Sequence, residues 1–220
     1  MSDIFPKMDF AEVEKSVAAF VVQIDEVVGH YGDSIVGFRA SVLQMNQAQE
    51  KMAQKSPGEN FDGKPMVFGL GNWRTPSHSV MHETTQGEFK RRNQDGGPNN
   101  IRAAQLLIVL IFSFWEEVHR KSIAAACGHS KDDLRIPILG DLCKIRNDIV
   151  HRQGVLSKEK YAKLEVLKFE GLAAECTIRL TPKDVGELLA LIRAAMDQLI
   201  VNAGGVDPEH RVPKKVKAKS

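Results

Sequence analysis

From Phe10 to Met45, apolar residues return every three or four positions: Phe10, Val13, Val17, Phe20, Val21, Ile24, Val28, Tyr31, Ile35, Val42 and Met45. That period belongs to one face of a helix. A helical stretch this long, apolar along one side, has to bury that side against other helices. Gly29, Gly32 and Gly37 leave open whether residues 9–55 form one helix or two.

Residues 56–98 break the pattern. They hold Pro57, Pro65, Pro76, Pro98 and seven glycines, with few periodic apolar positions. They read as a loop-rich insertion between the first and second helical blocks, with a short strand at Pro65 to Leu70. Lys90-Arg91-Arg92 is the basic cluster of this segment. Pro98-Asn99-Asn100 opens a second helix, an Asn standing where a cap is wanted, and Gly128 closes it after Ala126. Pro137 begins a third helix that stops at Gly154. Ser157 caps a short fourth helix through Leu167, Cys176 to Leu180 alternates like a strand, and Thr181-Pro182-Lys183-Asp184 starts a last helix reaching about Val201. The expected fold is therefore all-α, an up-and-down bundle over 1–203 with 56–98 as an irregular insertion. The basic stretch 204–220 is expected to be a disordered tail.

Composition excludes little but bounds the rest. Hydrophobic content of 43% and charged content of 26% are those of a soluble globular protein. A net charge of +2 neither demands nor excludes nucleic acid. Three cysteines, Cys127, Cys143 and Cys176, argue against a disulfide framework and fit a reducing cytoplasm. Met-Ser-Asp-Ile-Phe-Pro-Lys has no basic region leading into an apolar run, so no secretory signal is expected. The most apolar stretch, Leu106 to Trp115, is about half a membrane span and reads as a buried helix.

The third helix carries the residues with chemistry: Arg146, Asn147 and His151 fall within six positions of one another. At about 100° per residue, Ile138, Leu142, Ile145 and Ile149 form a core stripe. Leu139, Cys143, Arg146 and Val150 form an adjacent flank, and Asn147 and His151 stack beyond it. Arg146 and His151 lie about 140° apart, so a straight helix does not aim both at one atom. Either the helix loosens before Gly154, or a second subunit completes the site across a twofold axis along the flank, with Val150 and Cys143 in contact. RNA cleavage by its own 2′-hydroxyl needs a base, an acid and a positive charge on the phosphorane. His and Arg supply these without a metal. By residue type alone, the same pair is also what a solvated helix end looks like.

The segment Gly140-Asp141-Leu142-Cys143-Lys144-Ile145-Arg146-Asn147-Asp148-Ile149-Val150-His151 resembles the Arg-x(4–6)-His signature of the HEPN superfamily (higher eukaryotes and prokaryotes nucleotide-binding). Phe114-Trp115-Glu116-Glu117 and Ile178-Arg179-Leu180-Thr181-Pro182 look like members of that group as well, so the likeness spans roughly 99–203. The resemblance implies a homodimeric helical bundle with its signature helices facing each other. It also implies a metal-independent endoribonuclease of a toxin–antitoxin or anti-phage system. RNA and an antitoxin are then the expected partners, with neither a cofactor nor a membrane. By position, Arg146 would hold the scissile phosphate, His151 would act as acid or base, and Asn147 would orient them. Members silenced by a nucleotidyltransferase antitoxin often carry Tyr two residues after the His; here that residue is Gln153, which puts that mode of control in doubt. Some members only bind nucleotide, RNA or a protein partner, and that non-catalytic role is the alternative.

Other features read more plainly. Trp115 is a core residue. Glu116 or Glu117 is a candidate partner for Arg146, with nothing to choose between them. His119, Arg120 and Lys121 close the second helix, where cations suit the dipole, and an RNA groove is the second reading. His78 and His82, with Glu83 adjacent, lack the further ligand a zinc site wants, so no metal is expected. The C-terminal lysines would add non-specific phosphate affinity or solubility. Gly69-Leu70-Gly71 lacks the Lys of a phosphate-cradling loop.

Overall fold

The computed structural model describes residues 9–70 and 79–204. They are mostly helical, with one two-stranded sheet. The first block is a single helix, α1 (Phe10–Ala53), so its three central glycines do not interrupt it. Then follow β1 (Pro65–Leu70), β2 (Ser79–Thr85), α2 (Gln86–Asn93) and α3 (Pro98–Phe114). A π-helical turn (Trp115–His119) leads into α4 (Arg120–Ala126), and α5 (Pro137–His151), α6 (Lys158–Ala162) and α7 (Pro182–Asn202) complete the order. The chain divides into two compact units, one of Gly29–Ala104 and one of the described residues up to Val28 and from Gln105 onward.

In the Gly29–Ala104 unit the segment expected to be irregular carries two strands and a helix among its described residues. Its strand at Pro65–Leu70 pairs antiparallel with β2, with an irregularity after Phe68. Phe68 lies opposite His82 and meets Phe89 of α2, ring centroids 5.8 Å apart. Thr85 caps α2 by accepting from the Glu88 amide at 3.2 Å. The basic cluster is held by carboxylates of the same unit: Lys90 by Asp62, and Arg91 by Glu88, each at 2.6 Å. Asn100 does not cap α3, because Pro98 is already helical. Its side-chain amide turns back instead to the Gln94 carbonyl at 2.9 Å.

The other unit holds most of the buried apolar side chains. Phe20 and Ile24 of α1 sit with Leu107, Ile108, Ile111, Trp115 and Ile123, all 2% exposed or less. Along this run, positions 107, 111, 115, 119 and 123 are all buried. Four-residue steps drift about 40° each on an α-helix, so four of them would carry residue 123 to the far side. The π turn, closed by the Arg120 amide on the Trp115 carbonyl, takes up that drift. It leaves both Trp115 and His119 against Phe20, at centroid distances of 5.4 and 5.2 Å. Gly128, at φ 73°, terminates α4 in the left-handed conformation.

α5 packs against α7. Thr181 and Asp184 form a reciprocal capping box at the start of α7, the Thr181 amide reaching the Asp184 carboxylate at 2.8 Å. Ser157 caps α6, which stops at Ala162 rather than reaching Leu167. The strand expected at Cys176–Leu180 is reduced to one bridge, Thr177 with Val155. Its partner segment is cut short by the turn at Gly154 on one side and the Ser157 cap on the other. Gln105 joins this region to α3, its side-chain amide donating to the Ile178 carbonyl at 3.0 Å. No helix among the described residues is long and apolar enough to cross a membrane.

Candidate functional site

α5 owes its start to Pro137. Ile136 before it is extended (φ −123°, ψ 111°), as a residue preceding proline prefers, and Pro137 takes the first helical position. The core stripe is as spaced: Ile138, Leu142, Ile145 and Ile149 are all at most 8% exposed. The helix remains α-helical through His151. Beyond it Gln153 (φ 54°) and Gly154 (φ 80°) turn left-handed, and the Arg152 and Gly154 amides both close on the Asp148 carbonyl, at 2.9 and 3.1 Å. No loosening before Gly154 occurs, so within one chain Arg146 and His151 stay about 140° apart.

Arg146 is half-buried on the flank beside Cys143 and Val150. Its Nη1 donates to Asn147 Oδ1 at 3.1 Å, and Asn147 Nδ2 donates to Cys143 Sγ at 3.8 Å. Its Nε is buried with no hydrogen-bond partner, and no carboxylate pairs with it, among the described residues. Neither of its two candidate partners, Glu116 and Glu117, pairs with it among the described residues. Glu116 is engaged by Arg120 one turn along, at 2.9 Å, and by Lys131 at 2.7 Å. Burial pushes the Glu116 carboxyl up, but Lys131 and Arg120 outweigh it and hold it below its ordinary value. Glu117 is exposed and makes no ion pair among the described residues. Leu139, at the N-terminal end of the flank, is 2% exposed and belongs to the core, while Val150 at the other end is 48% exposed. His151 is exposed in the last turn of α5, where carbonyl ends favour a cation.

Sequence reasoning missed two residues of this helix. Asp141 and Asp148 are fully buried. Asp148 accepts from the Ser157 amide (2.7 Å), the Ser157 hydroxyl (2.8 Å) and Lys160 Nζ (2.7 Å). Asp141 accepts from the Glu165, Val166 and Leu167 amides at 2.7–3.0 Å and from Lys144 Nζ at 3.0 Å. Burial raises both carboxyls, but these donors outweigh it and leave each below the ordinary carboxylate value. Each aspartate thus ties a segment that follows α5 back onto the helix. Their seven-residue separation beside the core stripe was the signal available.

His119, read as a polar helix end, is 8% exposed, with its Nε2 2.6 Å from Gln23 Oε1; burial lowers its pKa. His82 sits on β2, whereas His78 lies outside the described residues, as do Trp73 and the tail beyond Gly204. Among the described residues no three His, Cys, Asp or Glu side chains group as metal ligands. On the other side of Cys143 a cavity of about 670 Å³ opens between α5 and the π turn, and neither Arg146, Asn147 nor His151 lines it.

No family model, no curated protein and no solved structure matches this chain.

Proposed function

We propose that this chain is a HEPN-like, metal-independent endoribonuclease that acts as a homodimer, in a toxin or anti-phage setting. The observation that carries the reading is the state of Arg146. A half-buried guanidinium that has no carboxylate partner among the described residues, with one Nη held by Asn147, keeps Nη donors with which it could meet an external anion. A phosphate diester would supply the missing acceptors. Because His151 diverges from Arg146 around the helix, the composite site pairs one protomer's Arg146 with a second copy's His151. The exposed Val150 stands between them as contact surface.

In that site a base removes the proton of the 2′-hydroxyl, and the 2′-oxygen attacks phosphorus. Arg146 stabilises the charge on the phosphorane. An acid protonates the departing 5′-oxygen, leaving a 2′,3′-cyclic phosphate and a 5′-hydroxyl. His151 fills one or both proton-transfer roles.

RNA incubated with the purified chain in EDTA tests this. Cleavage to 2′,3′-cyclic ends, lost in Arg146→Ala and His151→Ala and dependent on dimer formation in sedimentation, is the expected result. Binding without cleavage selects the alternative, a non-catalytic HEPN-like module. The divergence of the two side chains on one helix, and the lack of an orienting hydrogen bond on His151 among the described residues, favour that alternative if no dimer forms. Neither cleavage nor binding removes both.

A further inference from the structure

The cavity of about 670 Å³ beside the π turn is of the size that small-molecule sites occupy. Its walls are apolar and partly aromatic, with Phe112 and Trp115 on one side and Leu139 and Cys143 of α5 on the other. Charge is confined to five lining side chains: Arg120, Arg135 and Lys144 against Glu116 and Glu165. Three cations and two carboxylates leave one net positive charge. Glu116 is already neutralised by Arg120 and by Lys131. Lys144 is shared between Asp141 at 3.0 Å and Glu165 at 3.8 Å. Arg135 is exposed and makes no ion pair among the described residues, whereas Arg120 is held by Glu116 at 2.9 Å and donates to the Leu134 carbonyl at 3.3 Å.

We propose that this cavity binds a small, flat, largely apolar organic molecule carrying a single negative charge. Its ring system would lie along the wall that Phe112 and Trp115 contribute, and its anionic group would meet Arg135, the lining cation with no ion pair among the described residues. The two carboxylates select against polyanions, which would bring several charges to a lining with one to spare. The unpaired Arg135 and the aromatic wall point to the same kind of molecule from independent directions. The site does not depend on the ribonuclease reading, since Arg146, Asn147 and His151 do not line it.

The experiment uses two probes with one ring system. 8-Anilinonaphthalene-1-sulfonate carries one negative charge; N-phenyl-1-naphthylamine is neutral. In the full chain with Trp73→Phe, Trp115 is the sole tryptophan, and its quenching reports occupancy of the cavity. Calorimetry on the unaltered chain measures the same binding without that substitution. Arg135→Glu is expected to weaken the sulfonate about tenfold while leaving the neutral probe nearly unchanged. Gly140→Phe is expected to abolish binding of both probes. Gly140 lines the cavity on α5, and a Cβ there meets nothing within 4 Å, so the added ring enters the space without displacing the helix. One-to-one binding with this pattern supports the proposal. Three results would overturn it: no binding, binding at several sites untouched by Gly140→Phe, or equal affinity for the two probes with no effect of Arg135→Glu.

Discussion

Replacing Asp141 with alanine removes a carboxylate that has no exposed surface and four donors. Three of those donors are the backbone amides of Glu165, Val166 and Leu167, which cannot leave the chain and would lose their acceptor inside the fold. A buried donor without a partner costs about 1–3 kcal/mol. Lys144 is partly exposed and regains water, and Glu165 is exposed, so part of the segment can relax toward solvent. We expect a net loss of about 3–5 kcal/mol, the range for breaking one side of a buried charged network. Asp141→Asn keeps one oxygen acceptor but turns an NH₂ toward amide donors, and should lose about half as much. With a urea slope of about 2–3 kcal/mol per molar, the alanine variant unfolds at a midpoint about 1–2.5 M lower, with an unchanged slope. Hydrogen exchange adds a local readout, because the amides of 165–167 should lose protection in both variants. The pH dependence has a definite sign. The folded carboxyl lies below its ordinary value, so its contribution is fully present above about pH 4 and is lost as pH falls through the lower folded value. The gap between wild type and Asp141→Ala is therefore widest near pH 7 and closes only under strong acid. A loss under about 1 kcal/mol at pH 7, or a gap that widens from pH 7 to pH 3, would refute the reasoning.

Gly154→Ala should destabilise by about 2–3 kcal/mol in thermal melts. It places a side chain at φ 80° and sets a Cβ 2.5 Å from Gln105 Nε2, against the Gln105 bond to Ile178. Gln153→Gly should do the reverse, adding about 0.5–1 kcal/mol, because Gln153 is exposed and already left-handed at φ 54°. An unchanged or lower melting temperature would refute the strain argument at Gln153. Arg146→Ala and His151→Ala should each leave stability within about 1 kcal/mol of wild type by urea denaturation. Neither residue holds an ion pair among the described residues. A larger loss in either would assign that residue to the fold rather than to a site.

Elements marked by local chemistry were legible in the sequence: Pro137 and Gly154 bracketing α5, the box of Thr181 and Asp184 opening α7, and Pro65–Leu70 as a strand. Others depended on distant partners. β2 has no clean alternation and is defined by its pairing with β1, which no window on residues 79–85 reveals. α2 did carry a local sign, Thr85 followed three residues later by Glu88, but the prolines, glycines and sparse apolar positions of 56–98 led to a loop reading. The pairing of Arg146 with Glu116 or Glu117 did not form. Arg120, four residues along the same helical run, and Lys131 hold Glu116, and Glu117 faces solvent.

The candidate site was legible as a set of residue types and not as a geometry, and the aspartates explain why. Seven residues on a helix turn through about 700°, so Asp141 and Asp148 lie nearly in line beside the core stripe. A residue-by-residue reading treats both as polar helix surface, yet both are fully buried because the chain returns across α5 twice, at residues 157–160 and at 165–167. These two acids carry the structural demand on the stretch from Asp141 to His151. Arg146 is thereby left without a carboxylate partner among the described residues, Asn147 braces it instead of the fold, and His151 stays exposed. In an unmatched chain that separation is the useful discriminator. On α5, side chains saturated with intramolecular partners account for the fold, and the proposed ligand contact falls on Arg146, whose guanidinium has no carboxylate partner among the described residues.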